Sequence, residues 1–470
     1  MRSNTPEKQN SVQSVLITLL PPVLLIGFYA CWLLHAVPAI IPAVCCSFLT
    51  LLLAFLLIRT SACYLDQISY KISNVSPGKG RSRSFSPTSK HPVLASMLFA
   101  ALSRIALFIA VYAIHTAVYG YESGILQMSS LWNPPYSQGI SCLNISNSWY
   151  AAADFPTSGY LPLFPLYPFL VSGINLLTGN RFLSGLILSF FCFVFASGPL
   201  YSLVLADYGS SSASRAVRYL CLLPPTFLLN LPAADALFLL LSVLTLFFAR
   251  KHRFYPAAAA GALAASTSLA GVLLFVPVLF ELLMYFREER AAAIETVALV
   301  KATVPKFLAS LLVPAATFFC INLIERRSGI PFPLFNASSD LPNTGLAPIF
   351  QNFSTEISHF LRMVSSDATQ ALYGYVLPNL ICFVAVPFIL LFSVRKIRLS
   401  YTVYGICYYL LVFSFGNLVS APRYSILCVP ALIGLSVSLN KKIPDFLFSV
   451  LSIVLLAGYL YAFTLQWGVF

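Results

Sequence analysis

A chain of 470 residues that is 59% hydrophobic and only 9% charged has too little polar surface to cover a soluble globule of its size. Its formal charge of +13 would suggest a nucleic-acid partner in a soluble protein. Here, however, the basic residues form short clusters between apolar runs of bilayer-crossing length, which excludes that class and predicts an all-α polytopic membrane protein that binds no nucleic acid.

The first apolar run, about 15–34, has no small-residue cleavage pattern and leads straight into a second at about 38–57. Residues 1–58 therefore read as a retained pair of membrane helices rather than a removable signal. Residues 59–92 carry Arg59, Lys71, Lys79, Arg81, Arg83 and Lys90 among Ser, Gly and Pro, the composition of a flexible cytoplasmic linker. The core, 93–470, then begins with a helix over about 93–119 that leads outward. It delivers residues 119–158, which contain no Lys or Arg, to the lumenal or external face, and LPLFPLYPFL follows at 161–170. Prolines 162, 165 and 168 favour a segment at 160–178 that dips into the membrane or lies along its outer face; a full crossing is the other choice.

Helices are expected next at about 183–206, 217–232, 234–249, 255–270, 271–286, 306–324, 369–394, 400–418, 424–439 and 444–463. This register places Arg215 and Arg218, the basic run 250–253, residues 287–290, the cluster at 395–398, and Lys441 with Lys442 all on the cytoplasmic side. The result is a bundle of about 12–14 membrane segments with two outer loop regions, about 119–160 and 325–367. In the second loop a helix over STEISHFLR puts His359 and Arg362 on one face, solvated or near a ligand. Arg104 sits near the inner end of its helix and is expected to snorkel or to make bundle contacts.

Of the 11 cysteines only Cys142 falls in an outer loop, and no disulfide framework or metal-ligand spacing emerges. No metal or cofactor is implied. Asn-x-Ser sequons occur at Asn74, Asn144, Asn336 and Asn352, three of them in outer segments, which favours a secretory-pathway membrane.

Five blocks in order, LPLFPLYPFLV (161–171), CLLPPTFLLNLPAADALFLLLSVLTLFFARK (221–251), AAAAGALAASTSLAGVLLFVPVLFELL (257–283), VLPNLICFVAVPFILL (376–391) and SAPRYSILCVPAL (420–432), carry a resemblance. Their order and spacing over about 98–440 resemble the PIG-V family, the GPI mannosyltransferases that add the second mannose and their bacterial relatives. The resemblance implies a GT-C-like membrane bundle that moves mannose from a dolichyl or polyprenyl-phosphate donor to a GPI-anchor precursor, α-1,6, on the lumenal face. It implies an endoplasmic reticulum membrane, or a bacterial inner membrane for a relative from that branch. A glycolipid acceptor, surrounding membrane lipids and a small membrane partner subunit come with it.

Such a transfer needs a carboxylate to accept the proton of the attacking hydroxyl and a cation to hold the departing lipid phosphate. Family members carry a Trp-Asp pair before the FPLYP block, followed by an aromatic-Tyr pair. Here Trp132 is followed by Asn133, while Trp149 and Tyr150 fit the aromatic-Tyr pair and leave Ser146 at the Asp position, so the family Asp is absent. Glu122 and Asp154 are the carboxylates of that loop, and Asp154, ten residues before Phe164, is the first choice as base, an ordinary loop or capping Asp being the plainer account. Asp235 stands at the family's acidic position, as a helix cap or a substrate contact. Arg423 lies on the side opposite to the basic clusters, as a phosphate ligand or as a guanidinium reaching outer headgroups. Tyr150, Phe164, Pro165 and Tyr167 are expected to shape the acceptor or lipid site. The TxxxG block begins at Thr267 and has Ser268 where the family often has Arg. A different acceptor, a catalytically lapsed relative, and a scaffold or transporter are the competing readings; paired mid-membrane charges or inverted repeats, which a transporter would show, are not evident.

Overall fold

The computed structural model describes residues 6–36, 39–72, 91–120, 132, 138–150, 163–291, 296–329, 332, 346–415 and 420–467. Among them the chain is helical nearly throughout, with one isolated β-bridge between Leu346 and Phe415. Two long helices open the chain, α1 (Pro6–Ala36) and α2 (Ile40–Ile72), followed by α3 (Pro92–Tyr119) and a short α4 (Gln138–Ser148). Then come α5 (Leu166–Thr178), α6 (Arg181–Tyr208), α7 (Ser210–Leu222), α8 (Asp235–Arg250) and α9 (Phe254–Ala265). After these lie α10 (Phe275–Ala291), α11 (Thr296–Ser310), α12 (Leu312–Ser328) and α13 (Ile349–Ser365). The chain closes with α14 (Leu377–Ser393), α15 (Leu399–Val412), α16 (Ala421–Leu427), α17 (Val429–Ser438) and α18 (Lys442–Thr464).

Eight stretches among the described residues are long and apolar enough to cross a membrane, or ten if each of two sharply bent pairs makes one span; Leu166–Thr178, Phe254–Ala265 and Leu399–Val412 are shorter apolar helices. The outer surface of these helices carries large apolar side chains that water would not tolerate in such numbers: Leu177 is 90% exposed and Ile443 74%. This is a multi-span membrane protein. Helix α2 runs on to Ile72, so Arg59 and Lys71 ride on its end, and the rest of the expected basic linker, 73–90, lies outside the described residues.

Several expected helices come out differently. Residues 217–249, read as two crossing helices, instead form the end of α7, a 3-10 turn at Pro224–Asn230 and, after a bend of 104°, α8. Pro224, Pro225 and Pro232 remove backbone donors there and stop the helix. Residues 255–270 break at Ser266, and Leu269–Leu274 form a 3-10 turn leading into α10. The expected helix 424–439 is broken at Cys428, with 74° between α16 and α17. The FPLYP segment is a helix of 13 residues, a rise of about 20 Å, short of the roughly 20 residues a crossing needs.

Helix α6 sits centrally and packs most extensively against α8. Small buried residues on it, including Ser184, Gly185, Ser189, Ser197 and Gly198, allow close approach. A Cβ at Gly185 would lie 2.6 Å from the Pro232 side chain, so this glycine lets the broken segment before α8 seat itself.

The helix ends assigned to the cytoplasm are tied together by ions. Arg250, the last residue of α8, contacts Asp207 of α6 at 2.7 Å, and Arg398 donates to Glu281 of α10 at 2.9 Å. Ser400 donates to Glu281 as well, and Tyr401 to Asp207. Arg218 pairs with Asp445 of α18. Basic clusters far apart in sequence thus meet at one end of the bundle, as the charge asymmetry requires.

Candidate functional site

The three breaks before α8, after α9 and between α16 and α17 meet at the other end of α8, about 22 Å from Arg250 along the helix. Non-helical backbone at membrane depth is tolerated only where protein covers it or where it lines a cavity. Here it does both. The turn at Pro224–Asn230 is held from below by Arg104, whose Nη1 donates to the Thr226 carbonyl at 2.6 Å and whose Nη2 donates to Thr226 Oγ1 at 2.7 Å. The break after α9 depends on Gly271, where a Cβ would fall 2.5 Å from the Ala264 and Ala265 backbone. Its Ser266 carbonyl accepts from the backbone N–H of Leu166, fastening the start of α5 to the same place.

Between these breaks lies an open cavity whose lining includes Leu163, Phe164, Asp235, Thr267, Tyr408 and Tyr424. Its charged lining residue is Asp235, which pairs with Arg423 outside the lining, both less than 10% exposed. Arg423 Nε donates to Asp235 Oδ2 at 2.5 Å, and Nη2 makes an ion pair with the same oxygen. One carboxylate oxygen therefore takes one edge of the guanidinium fork, and Nη2, though within ion-pair reach, is buried with no hydrogen-bond partner. A buried pair of this kind neutralises both charges, and either one alone would be costly in an apolar bundle. Cys142 of α4 stands beside the pair; burial pushes its thiol up to about 12, so it is neutral and unreactive there.

Phe164, at the start of the FPLYP segment, is in the cavity lining. Pro165 precedes the first turn of α5 at φ −75°, and Tyr167 donates to the Gly185 carbonyl at 3.0 Å and contacts Ser189 Oγ at 3.0 Å, joining α5 to α6 away from the lining. Tyr150 sits behind Phe164: its hydroxyl donates to the Leu163 carbonyl at 2.5 Å, and burial raises its phenol so that it stays a donor. Trp149 and Tyr150 both have left-handed backbones, φ 49° and 67°, a conformation bulky residues adopt at a cost of about 1–3 kcal/mol each. Trp132 is buried against Phe108 and Phe463. Asp154, Asn133, Glu122, Asn74 and Asn336 lie outside the described residues. Among the described residues no cluster of His, Cys, Asp or Glu could hold a metal.

Of the two readings of Arg104 the structure takes bundle contacts over snorkelling, though in the middle of α3 rather than near its end: it is fully buried, with its guanidinium 3.8 Å above the Phe193 ring. Asn352 is no glycan acceptor in this fold, since it is 8% exposed and its Nδ2 donates to the carbonyls of Phe413 and Phe415.

Sequence reasoning passed over Glu356, on the buried face of α13 with Ile349, Phe353 and Ile357. The signal was present in a carboxylate at apolar helical spacing. Burial pushes its carboxyl up to about 7, against a smaller opposing effect from the Asn379 amide. The folded protein therefore holds this proton after the unfolded chain has released it, so stability is lost as pH rises from about 4.5 to about 7 and is level above that. Glu356→Gln, neutral throughout, is expected to unfold about 3 kcal/mol later than the native chain at pH 8 and to match it at pH 4. Detergent-solubilised protein followed by thermal unfolding at the two pH values measures this; an equal advantage at both would rule out the titration.

No protein-family model matches the chain, and no curated protein matches it significantly. Two solved structures are similar. One is ArnT from Cupriavidus metallidurans bound to undecaprenyl phosphate, at 14% identity and a TM-score of 0.45, covering 79% of this chain and 64% of that one. The other is ArnT from the same organism in the apo state, at 15% identity and a TM-score of 0.40, covering 73% and 75%. The chain spans less than two thirds of the length of the first, and similarity at this level says nothing of chemistry.

Proposed function

We propose that this protein is a GT-C-type glycosyltransferase that moves a sugar from a polyprenyl-phosphate donor to a lipid-linked acceptor at the outer membrane face. The observation that supports it best is the buried Asp235–Arg423 pair, whose carboxylate lines a cavity formed where the chain breaks before α8, after α9 and between α16 and α17. The pair leaves the guanidinium Nη2 without a hydrogen-bond acceptor, and a planar fork suits a phosphate. In the transfer, the acceptor oxygen forms a bond to the anomeric carbon while the bond from that carbon to the phosphate oxygen breaks. A carboxylate takes the hydroxyl proton, and the polyprenyl phosphate leaves with its charge held by Arg423. Asp235, engaged with Arg423, serves better to orient that cation than to accept the proton. Asp154 is assigned as the base, and Phe164, with Tyr150 behind it, shapes the wall of the cavity.

The PIG-V resemblance of the sequence supports mannose as the sugar, a GPI-anchor precursor as the acceptor and the endoplasmic reticulum as the membrane, with a small membrane subunit as a partner. Complementation of cells lacking the second GPI mannosyltransferase tests this reading. The native chain should restore the GPI lipid profile, and Asp154→Asn should lower transfer at least 100-fold at equal abundance. Rescue by both moves the base elsewhere; rescue by neither, at good expression, sinks the GPI assignment.

A further inference from the structure

One face of α13 holds both ends of the connector that leads from α15 to Arg423. At the entry, Asn352 Nδ2 donates to the carbonyls of Phe413 and Phe415 at 2.9 and 2.8 Å, and Ala347 N–H donates to the Ser414 carbonyl at 2.7 Å. Phe415 is itself in the cavity lining. At the exit, one helical turn further along α13, the Glu356 carboxyl confronts the Asn379 amide of α14, and Asn379 Oδ1 accepts from the Ala421 N–H at 2.9 Å. Ala421 is the first residue of α16, two before Arg423.

The exit grip is made of groups that burial forces to be specific. Glu356 is 7% exposed, Asn379 0% and Ser420 3%. Glu356 Oε2 and Asn379 Nδ2 are a buried acceptor and a buried donor on facing helices, each without a hydrogen-bond partner, and Ser420 Oγ beside the connector is likewise unpartnered. Unmade buried polar groups are costly, so the acceptor and donor have every reason to engage each other. An amide whose N–H₂ is turned toward Glu356 has its oxygen turned toward Ala421. Engaging the carboxyl would therefore fix which end of Asn379 meets the backbone of α16.

We propose that α13 is a positioning clamp for the Arg423 connector, with Asn352 and Glu356 as its two positioning residues. Glu356 acts through Asn379 and touches no substrate. The clamp fixes where the guanidinium points relative to Asp235 and the cavity. Its bearing on catalysis rests on the proposed use of Arg423 for the donor phosphate, whereas its bearing on the connector does not.

Hydrogen–deuterium exchange on the full-length protein in detergent reads the connector directly, with undecaprenyl phosphate in the same micelles as the binding probe. At pH 5, where Glu356 keeps its proton, Glu356→Leu should speed exchange in a peptide covering 413–424 about tenfold or more while leaving 224–250 unchanged, and Glu356→Gln, whose amide oxygen can still accept from Asn379, should exchange like the native chain. Asn352→Ala should loosen the same peptide, and it carries the test if Glu356→Leu fails to fold. Undecaprenyl phosphate affinity should fall about tenfold in Glu356→Leu and be kept in Glu356→Gln. Unchanged exchange in both loosening variants, or a Glu356→Gln variant as loose as Glu356→Leu, overturns the clamp. The expected exchange pattern in a native chain that does not bind undecaprenyl phosphate supports the clamp and overturns the donor reading instead.

Discussion

Arg423→Ala, with Asp235 left in place, is expected to cost about 3–5 kcal/mol of stability as well as activity, because it strands a buried carboxylate without its cation. The sequence alone suggests a different result, loss of donor use at nearly normal protein level, since there Arg423 stands as a lone outer cation. Pairing changes that expectation: both partners are under 10% exposed and share a carboxylate oxygen. Asp235→Ala should be as damaging, for the converse reason. The double variant, in which neither charge is left, should recover most of the lost stability, to within about 1–2 kcal/mol of the native chain, and still transfer no sugar. Thermal unfolding and yield in detergent, alongside a transfer assay, complete the cycle. Single variants as stable as the native protein would show that the pair is not closed in the membrane, and an active double variant would remove both residues from the chemistry.

The second large effect belongs to Arg104, far from any expected site. It is fully buried, spans Thr226 and Asn230, and lies over the Phe193 ring, with no carboxylate ion pair among the described residues. Its donors satisfy the irregular turn that precedes Asp235. Arg104→Ala should leave the Thr226 and Asn230 acceptors unmet above a cavity the size of a guanidinium, a loss of about 3–5 kcal/mol. Lysine should rescue little, because an ammonium cannot bridge both residues and also stack on Phe193. Since Asp235 begins the helix just after this turn, transfer should fall with stability. Arg104→Lys with native stability and activity would show that charge alone, not the fork, holds the turn.

Glu356 and Asn352 show what could be read early and what could not. On the sequence they are polar residues in an outer helix, and Asn352 even forms a sequon. The apolar positions around them, 349, 353 and 357, already mark a buried face by their helical spacing. Nothing in that spacing names their partners, Asn379 and the 413–415 carbonyls, which lie tens of residues downstream.

By itself the sequence determined the class of the protein, its long helices and the end of the bundle at which its basic clusters gather. These follow from local quantities: apolar length against bilayer thickness, and the side on which Lys and Arg are left. It also marked Asp235, Arg423 and Phe164 one by one. Only the tertiary structure decided that Asp235 and Arg423, 188 residues apart, neutralise each other, that the apolar stretches at 217–249, 255–274 and 424–439 are broken, and that the breaks share one cavity. The physical reason is that a broken helix in an apolar environment survives only where distant groups satisfy its freed backbone, as Arg104 does for Thr226 and Asn379 for Ala421. A window of apolar residues carries no record of those partners.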